Sequence, residues 1–186
     1  MDKLSALPND VLLYTFEKSK IIRYFTIFGV AQFGICAFLG GNIFVSLKDT
    51  ANRTISDDKV LDAHSWRRIN FGDMKYRIIA GLSCFSIGVL IAYISYALPQ
   101  RIVKELTLHR GGKLVSITTY APLGRTNHFQ VPLQQMNCTM SRSQAKSYVP
   151  IKIKNKWFYY LMDCKGQFHQ PQLFDLSVGA KSWEFL

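Results

Sequence analysis

Two uncharged apolar runs constrain this chain more than any other feature of it. Phe25 to Leu47 and Ile78 to Leu98 are twenty-three and twenty-one residues long, and neither contains Asp, Glu, Lys or Arg. As helices rising about 1.5 Å per residue, each is roughly 32–35 Å long, enough to cross a hydrocarbon core of about 30 Å. The remaining chain is 24 residues before the first run, 30 between the two and 88 after the second. Only the last piece is long enough to bury a core of its own. The expected class is therefore membrane α+β: a two-helix transmembrane hairpin followed by a small antiparallel β domain. Residues 1–23 form an N-terminal segment and 24–98 the hairpin, with helices at 25–47 and 78–98 and a loop at 48–77. Residues 99–186 form a basic, β-rich soluble domain.

Small residues mark the faces on which the two helices pack. Gly29, Cys36 and Gly40 fall in the first run, where Ala37 and Gly41 form a second small pair. Ala80, Cys84, Gly88 and Ala92 follow one another at four-residue spacing in the second. Such stripes let helix backbones approach closely in lipid, either within the hairpin or against another membrane protein. Gln32 and Asn42 are the only amides in the runs and are expected to bridge the helices. With no ionisable residue beside them, a transport path is the weaker reading. Tyr24, Tyr93 and Tyr96 sit where an aromatic belt would lie. Between the runs, Ser56 caps an expected short surface helix over 57–68, which would carry His64.

Outside the runs the texture is β. Val11 to Phe16 is a short apolar strand that can add to the C-terminal domain if both lie on one side of the membrane. Ile102–Leu108 and Leu114–Tyr120 flank Gly111-Gly112, a strong hairpin signal. His128–Val131 reads as a strand, and Gln134–Met140 as a further one. Val149–Lys154 and Trp157–Met162 flank Asn155-Lys156 as a second hairpin. Leu173, Phe174 and Val178 are the apolar anchors of the tail.

The formal net charge of +11 is concentrated at the C-terminal end, where residues 99–186 carry twelve Lys and Arg against four Asp and Glu. That excess suits an anionic partner: lipid head groups, RNA or an acidic protein surface. Lys152, Lys154 and Lys156 alternate with Ile151 and Ile153, and Trp157 to Tyr160 follow. On a strand the three lysines share one face, with Arg142 and Lys146 as candidate neighbours. This constellation is the candidate partner-binding surface, through phosphate contacts and stacking. The competing reading is an edge strand protected by lysines. Counting Lys and Arg near the spans gives eight on the terminal side and seven in the loop, which leaves the orientation nearly tied. The length of the basic domain favours termini on the inside, because it would otherwise have to be translocated.

No motif for catalysis is present: no GxSxG, no P-loop, no GxGxxG. Ser116, Thr118 and Thr119 lie on a strand, as β-propensity favours. Cys138, Cys164, His109, His128 and His169 show no paired metal-ligand spacing, and no cofactor is expected. A membrane-anchored redox or metal-delivery protein using Cys138, Cys164 and the nearby histidines remains the alternative reading, and a Cys138–Cys164 bridge is compatible with it. No secretory or transit signal is evident. Targeting information lies in the apolar runs and their basic flanks, or in a presequence outside this chain.

Several stretches together carry a family resemblance. They are Arg110-Gly111-Gly112, Ile117-Thr118-Thr119-Tyr120-Ala121-Pro122-Leu123-Gly124, and His128-Phe129-Gln130-Val131-Pro132-Leu133 with Cys138. Further on come Val149-Pro150-Ile151-Lys152-Ile153-Lys154, Trp157 to Asp163, Leu173-Phe174-Asp175 and Val178-Gly179-Ala180. Near the start, Asp10-Val11-Leu12-Leu13 and Arg23-Tyr24-Phe25-Thr26-Ile27 also fit. The chain resembles the mitochondrial transmembrane protein 223 family, related to the transmembrane protein 70 and 186 families. The resemblance implies a two-pass protein of the mitochondrial inner membrane with both termini in the matrix and no catalytic residues. It also implies a non-enzymatic assembly factor associated with the mitochondrial ribosome. Its partners would be the mitochondrial ribosome, the nascent first subunit of cytochrome c oxidase, other assembly factors and inner-membrane lipid, with RNA contact the separate expectation from the lysine-bearing surface. Asn155 stands at a turn where that family more often carries Gly, and Asn tolerates the left-handed conformation such a turn needs.

Overall fold

The computed structural model describes residues 7–47 and 73–179. Both apolar runs are helical and longer than the runs themselves. Helix α1 spans Ser19–Ser46 and α2 spans Met74–Ala97. Each begins several residues early, because once a helix is nucleated its hydrogen-bond ladder extends cheaply into the charged flank. Lys20 and Arg23 thus lie on α1 and Lys75 and Arg77 on α2, at the ends of the spans. Most of the large apolar side chains on both helices are exposed, Phe28, Phe38, Leu82 and Leu90 among them. In water such surfaces would be untenable, and in a bilayer they are the lipid contact. The expected surface helix over 57–68 lies outside the described residues.

The chain clusters into two compact units. One is Ile27–Ile94, the helix pair. The other joins the residues up to Thr26 with those from Ser95 onward. In that second unit, β1 (Val11–Thr15) pairs antiparallel with β2 (Val103–Leu108) on one side and β8 (Gln167–Phe168) on the other. With β3 (Leu114–Tyr120) and β4 (Thr126–Pro132) they form a five-stranded sheet in the order β4-β3-β2-β1-β8. The β2–β3 turn carries Gly111 and Gly112 at φ 79° and 66°, which the absence of a Cβ allows. A second sheet of β5 (Met136–Cys138), β6 (Tyr148–Ile153) and β7 (Tyr160–Asp163) runs in that order. The stretch expected as one strand over 134–140 is a single 3-10 turn, Leu133–Gln135, followed by the short β5. Ile102 makes a parallel bridge to Leu161 instead of opening β2. A short helix, α3 (Pro171–Leu176), brings Phe174 into the core, where Val178 follows it.

Inward residues of both sheets share one core. Tyr14, Leu106, Ile117, Ile151, Met162 and Phe174 are all fully buried in it. Tyr14 is central. Its ring packs on Phe168 at 4.9 Å, and its hydroxyl donates to the Asp163 carbonyl at 2.9 Å. Burial pushes the Tyr14 phenol well above its ordinary value, so it stays a donor at any physiological pH. Tyr120 holds the link between β1 and α1: its hydroxyl accepts the Lys18 N–H at 2.8 Å and donates to the Phe16 carbonyl.

Gly166 closes the β7–β8 turn directly against Tyr14, and a Cβ there would collide with the phenol ring. Gly166→Ala should therefore destabilise the β domain by about 1–3 kcal/mol, the cost of overpacking a full core. Urea unfolding followed by tyrosine fluorescence measures it, and Lys165→Ala, at an exposed site, should change little.

Candidate functional site

The candidate surface centres on the connection between β6 and β7. Strand β6 buries Val149, Ile151 and Ile153, which leaves Lys152 on its opposite, half-exposed side. The alternation ends there. Lys154 and Asn155 make a turn with Asn155 at φ 65°, and the Lys156 N–H bonds the Ile153 carbonyl at 3.2 Å. Lys152, Lys154 and Lys156 are therefore not one stripe on a strand, since only Lys152 belongs to β6. Nor does a strand begin at Trp157. Tyr160 is the residue that pairs with Ile151, so Trp157, Phe158 and Tyr159 belong to an open loop. The loop is held from inside. Lys152 Nζ donates to the Trp157 carbonyl at 3.0 Å and lies 4.8 Å from the Tyr159 ring centroid. Lys156 Nζ lies 5.4 Å from the Phe129 ring, and the Arg101 guanidinium stacks 3.8 Å from the Phe158 ring. Trp157 itself is 87% exposed.

The other two basic candidates belong elsewhere. Arg142 pairs with Asp175 at 3.1 Å and lies 5.4 Å from the Phe168 ring. Lys146 precedes β6, at the opposite end of that strand from Lys152, where it lines a small surface pocket with Tyr148, Asp163 and Lys165.

Within the helix pair, small residues mediate the closest approach. A Cβ on Gly88 would meet the Cys36 Cβ at 2.7 Å, and one on Gly40 would meet the Gly81 carbonyl oxygen at 3.2 Å. The Cys84 thiol donates to the Cys36 carbonyl at 3.4 Å, and Phe33 packs on Phe85 at 5.7 Å. Contacts of 36 with 88 and 40 with 81 make the pair antiparallel. Gly29 is buried on α1 as well, while Ala80 and Ala92 are only half-buried. The stripe expected through Ala80 shifts to Gly81, because two helices in long contact repeat closer to 3.5 than to 4 residues. Gly41, at the other small pair, is exposed with nothing near it. The expected amide bridge does not form either. Gln32 turns to the Cys36 sulfur and Asn42 donates to the Phe38 carbonyl at 2.9 Å, each one turn away on its own helix. In lipid that local partner satisfies the amide without constraining the neighbouring helix. Gly88→Leu should lower the thermal stability of the hairpin in detergent by about 1–3 kcal/mol. Gly41→Leu should leave it unchanged, so equal effects would contradict this interface.

Sequence reasoning missed a polar chain on the outer face of the five-stranded sheet. Asp10 Oδ2 accepts from His109 Nδ1 at 2.8 Å, and His109 Nε2 meets the Ser116 hydroxyl at 2.7 Å. Asp10 Oδ1 also accepts the Arg110 N–H at 2.8 Å. The order carboxylate, imidazole, hydroxyl is that of a nucleophilic triad. Here, however, Ser116 sits mid-strand between Thr107 and Gln130, with β2 and β4 both laddered against it. Its neighbourhood is a flat sheet face whose amides serve the ladder, so an oxyanion would lack aligned backbone donors. The chain instead fastens the segment before β1 to the β2–β3 turn, together with the Gly111 N–H on the Leu7 carbonyl at 3.2 Å. The signal was an N-terminal Asp and a His nearly a hundred residues later, which no local pattern joins.

The other described histidines are similarly occupied by hydroxyls: His128 by Thr118 and Thr126, His169 by Thr15. Among the described residues no three His, Cys, Asp or Glu side chains gather as metal ligands. Cys138 is buried in β5, and burial pushes its thiol up to about 12, which suits packing and disfavours the thiolate needed for metal or redox work. Cys164 is a free thiol directed at the Ala145 carbonyl at 3.6 Å.

The Arg110 N–H, and then His109, hold the Asp10 carboxyl below its ordinary 3.8. A depressed folded value means that the tie is complete above that pH and is lost as pH falls through the lowered one. Acid unfolding should therefore contain a component that Asp10→Asn removes, read as a flatter stability curve below about pH 4.

Comparison with known proteins places these features in context. The model described as the TMEM70/TMEM186/TMEM223 protein family matches residues 9–180. The chain is 35% identical to the Transmembrane protein 223 of Danio rerio, over 95% of this chain and 73% of that protein. It is 34% identical to the Homo sapiens protein of the same name, over 95% of this chain and 85% of the relative. The Bos taurus protein is 32% identical over the same shares.

Proposed function

The chain belongs to the TMEM70/TMEM186/TMEM223 family, and on that premise we propose that it is a non-enzymatic assembly scaffold of the mitochondrial inner membrane. It spans the membrane twice and holds its basic β domain at the matrix face, beside the mitochondrial ribosome. There it acts early in cytochrome c oxidase biogenesis, around synthesis of the first subunit. The observation that carries this reading is the pairing of β1 with β2. One sheet draws strands from before the first span and after the second, so the domain is tethered to the bilayer by two helices. A tether of that kind suits a platform that must stay at the membrane surface while other proteins come and go. The charge of the domain, twelve Lys and Arg against four Asp and Glu after residue 98, suits a matrix face crowded with anionic RNA and lipid.

Affinity purification of the tagged protein from mitochondria in mild detergent should recover ribosomal proteins together with early oxidase assembly intermediates. Absence of both would overturn the reading. Protease added to mitoplasts should leave a C-terminal tag intact until the inner membrane is opened.

A further inference from the structure

The β6–β7 loop is anchored at the point where α2 leaves its span. Helix α2 ends at Ala97, and a single 3-10 turn over Pro99–Arg101 follows at once. Arg101 then stacks on Phe158, and Ile102 bridges to Leu161. At about 1.5 Å per residue the 24 residues of α2 rise roughly 36 Å, several ångströms more than a hydrocarbon core of about 30 Å. The head-group layer adds about 5–8 Å on each side. Arg101, four residues beyond Ala97, is therefore at head-group depth, and the loop that stacks on it is there too.

The loop has the composition that such a depth selects. Trp157, Phe158 and Tyr159 are consecutive and exposed; Lys152 and Arg101 lie against the Tyr159 and Phe158 rings, and Lys154 and Lys156 come just before them in the chain. Aromatic rings with a polar edge settle at the membrane–water interface, and lysines lay their stems along apolar surface while the ammonium reaches the phosphates. The grip of Lys152 on the Trp157 carbonyl shapes the loop so that the indole faces outward. A second apolar tip lies beside the first helix. Leu123 is exposed at φ 61°, a conformation unfavourable for a bulky residue, and the adjoining Gly124 lies against Arg23 of α1.

We propose that the loop over 154–159, with Trp157 at its tip, is a third attachment of this protein to its own bilayer, a site for anionic phospholipid head groups. Of the anionic partners that fit basic residues with aromatics, acidic lipid is the one favoured by a loop that stacks on Arg101, four residues beyond the end of the second span. The inference rests on the two spans and not on the ribosomal reading, so either can fail without the other.

Full-length protein carrying Trp66→Phe and Trp183→Phe retains Trp157 as its single tryptophan. In nanodiscs containing acidic phospholipid its emission should be blue-shifted, severalfold protected from aqueous iodide, and quenched by lipids brominated near the head group. In the same background, Lys152→Gln, Lys154→Gln and Lys156→Gln together should weaken that protection in acidic nanodiscs more than in zwitterionic ones. A red-shifted emission freely quenched by iodide in acidic nanodiscs would overturn the proposal. So would a Trp157 signal that responds to added single-stranded RNA and not to lipid composition. Where the triple variant misfolds, the single Lys156→Gln change provides the same comparison.

Discussion

The structure depends on a strand that comes before both spans and pairs with strands that come after them. Strand β1 lies between β2 and β8, so its N–H and C=O groups complete two ladders at once. Buried backbone groups without partners cost free energy comparable to a lost hydrogen bond. Removing β1 would expose the flank of β2 and leave β8 without a neighbour. The constraint reaches beyond the sheet. A strand from before α1 can pair with one from after α2 only if both lie in the same compartment, so an even number of crossings is built into the hydrogen bonding. Charge counting around the spans left the orientation almost undecided. The ladder establishes that the two ends are together, whichever side they occupy.

The two helices rely on another balance. Lipid offers apolar side chains no reason to leave it, so helices associate through close backbone approach and dispersion. Gly40 against Gly81, and Gly88 against Cys36, supply that approach. The amides at Gln32 and Asn42 turn back on their own helices, so the pair is held by shape and by the weak bond from the Cys84 thiol to the Cys36 carbonyl. A surface of that type is easily matched by a further helix with small residues of its own, but the lipid-facing sides here are dominated by large side chains such as Phe28 and Leu90.

Much of this architecture was legible in the sequence, because its strongest signals are local. Uninterrupted apolar runs announced the helices, and Gly111-Gly112 between alternating strands announced the β2–β3 hairpin. What escaped is non-local. The division of the β domain into two sheets depends on which strands meet through the core, and nothing near Met136 or Tyr148 states that. The lysine stripe was misplaced for a similar reason: β6 continues to Ile153 against β5 but stops at Ile151 against β7. The alternation of Lys152 and Lys154 could not reveal that the ladder ends between them on one side. The Asp10–His109–Ser116 chain was invisible because its members come from three segments brought together only by the fold.

Tyr14 donates its hydroxyl to a carbonyl 149 residues further along the chain. Between the two lie both membrane spans and most of the β domain. Contacts so distant in sequence form late, after the intervening chain has been placed. By whatever route the helices are inserted, the first strand must wait, unpaired, until both are in the bilayer and the rest of the domain lies on its side of the membrane. The closed sheet then reports that both insertions succeeded. A copy that threads one helix only would strand its C-terminal half on the far side and present a bare strand edge, a form that quality-control proteases and chaperones can recognise.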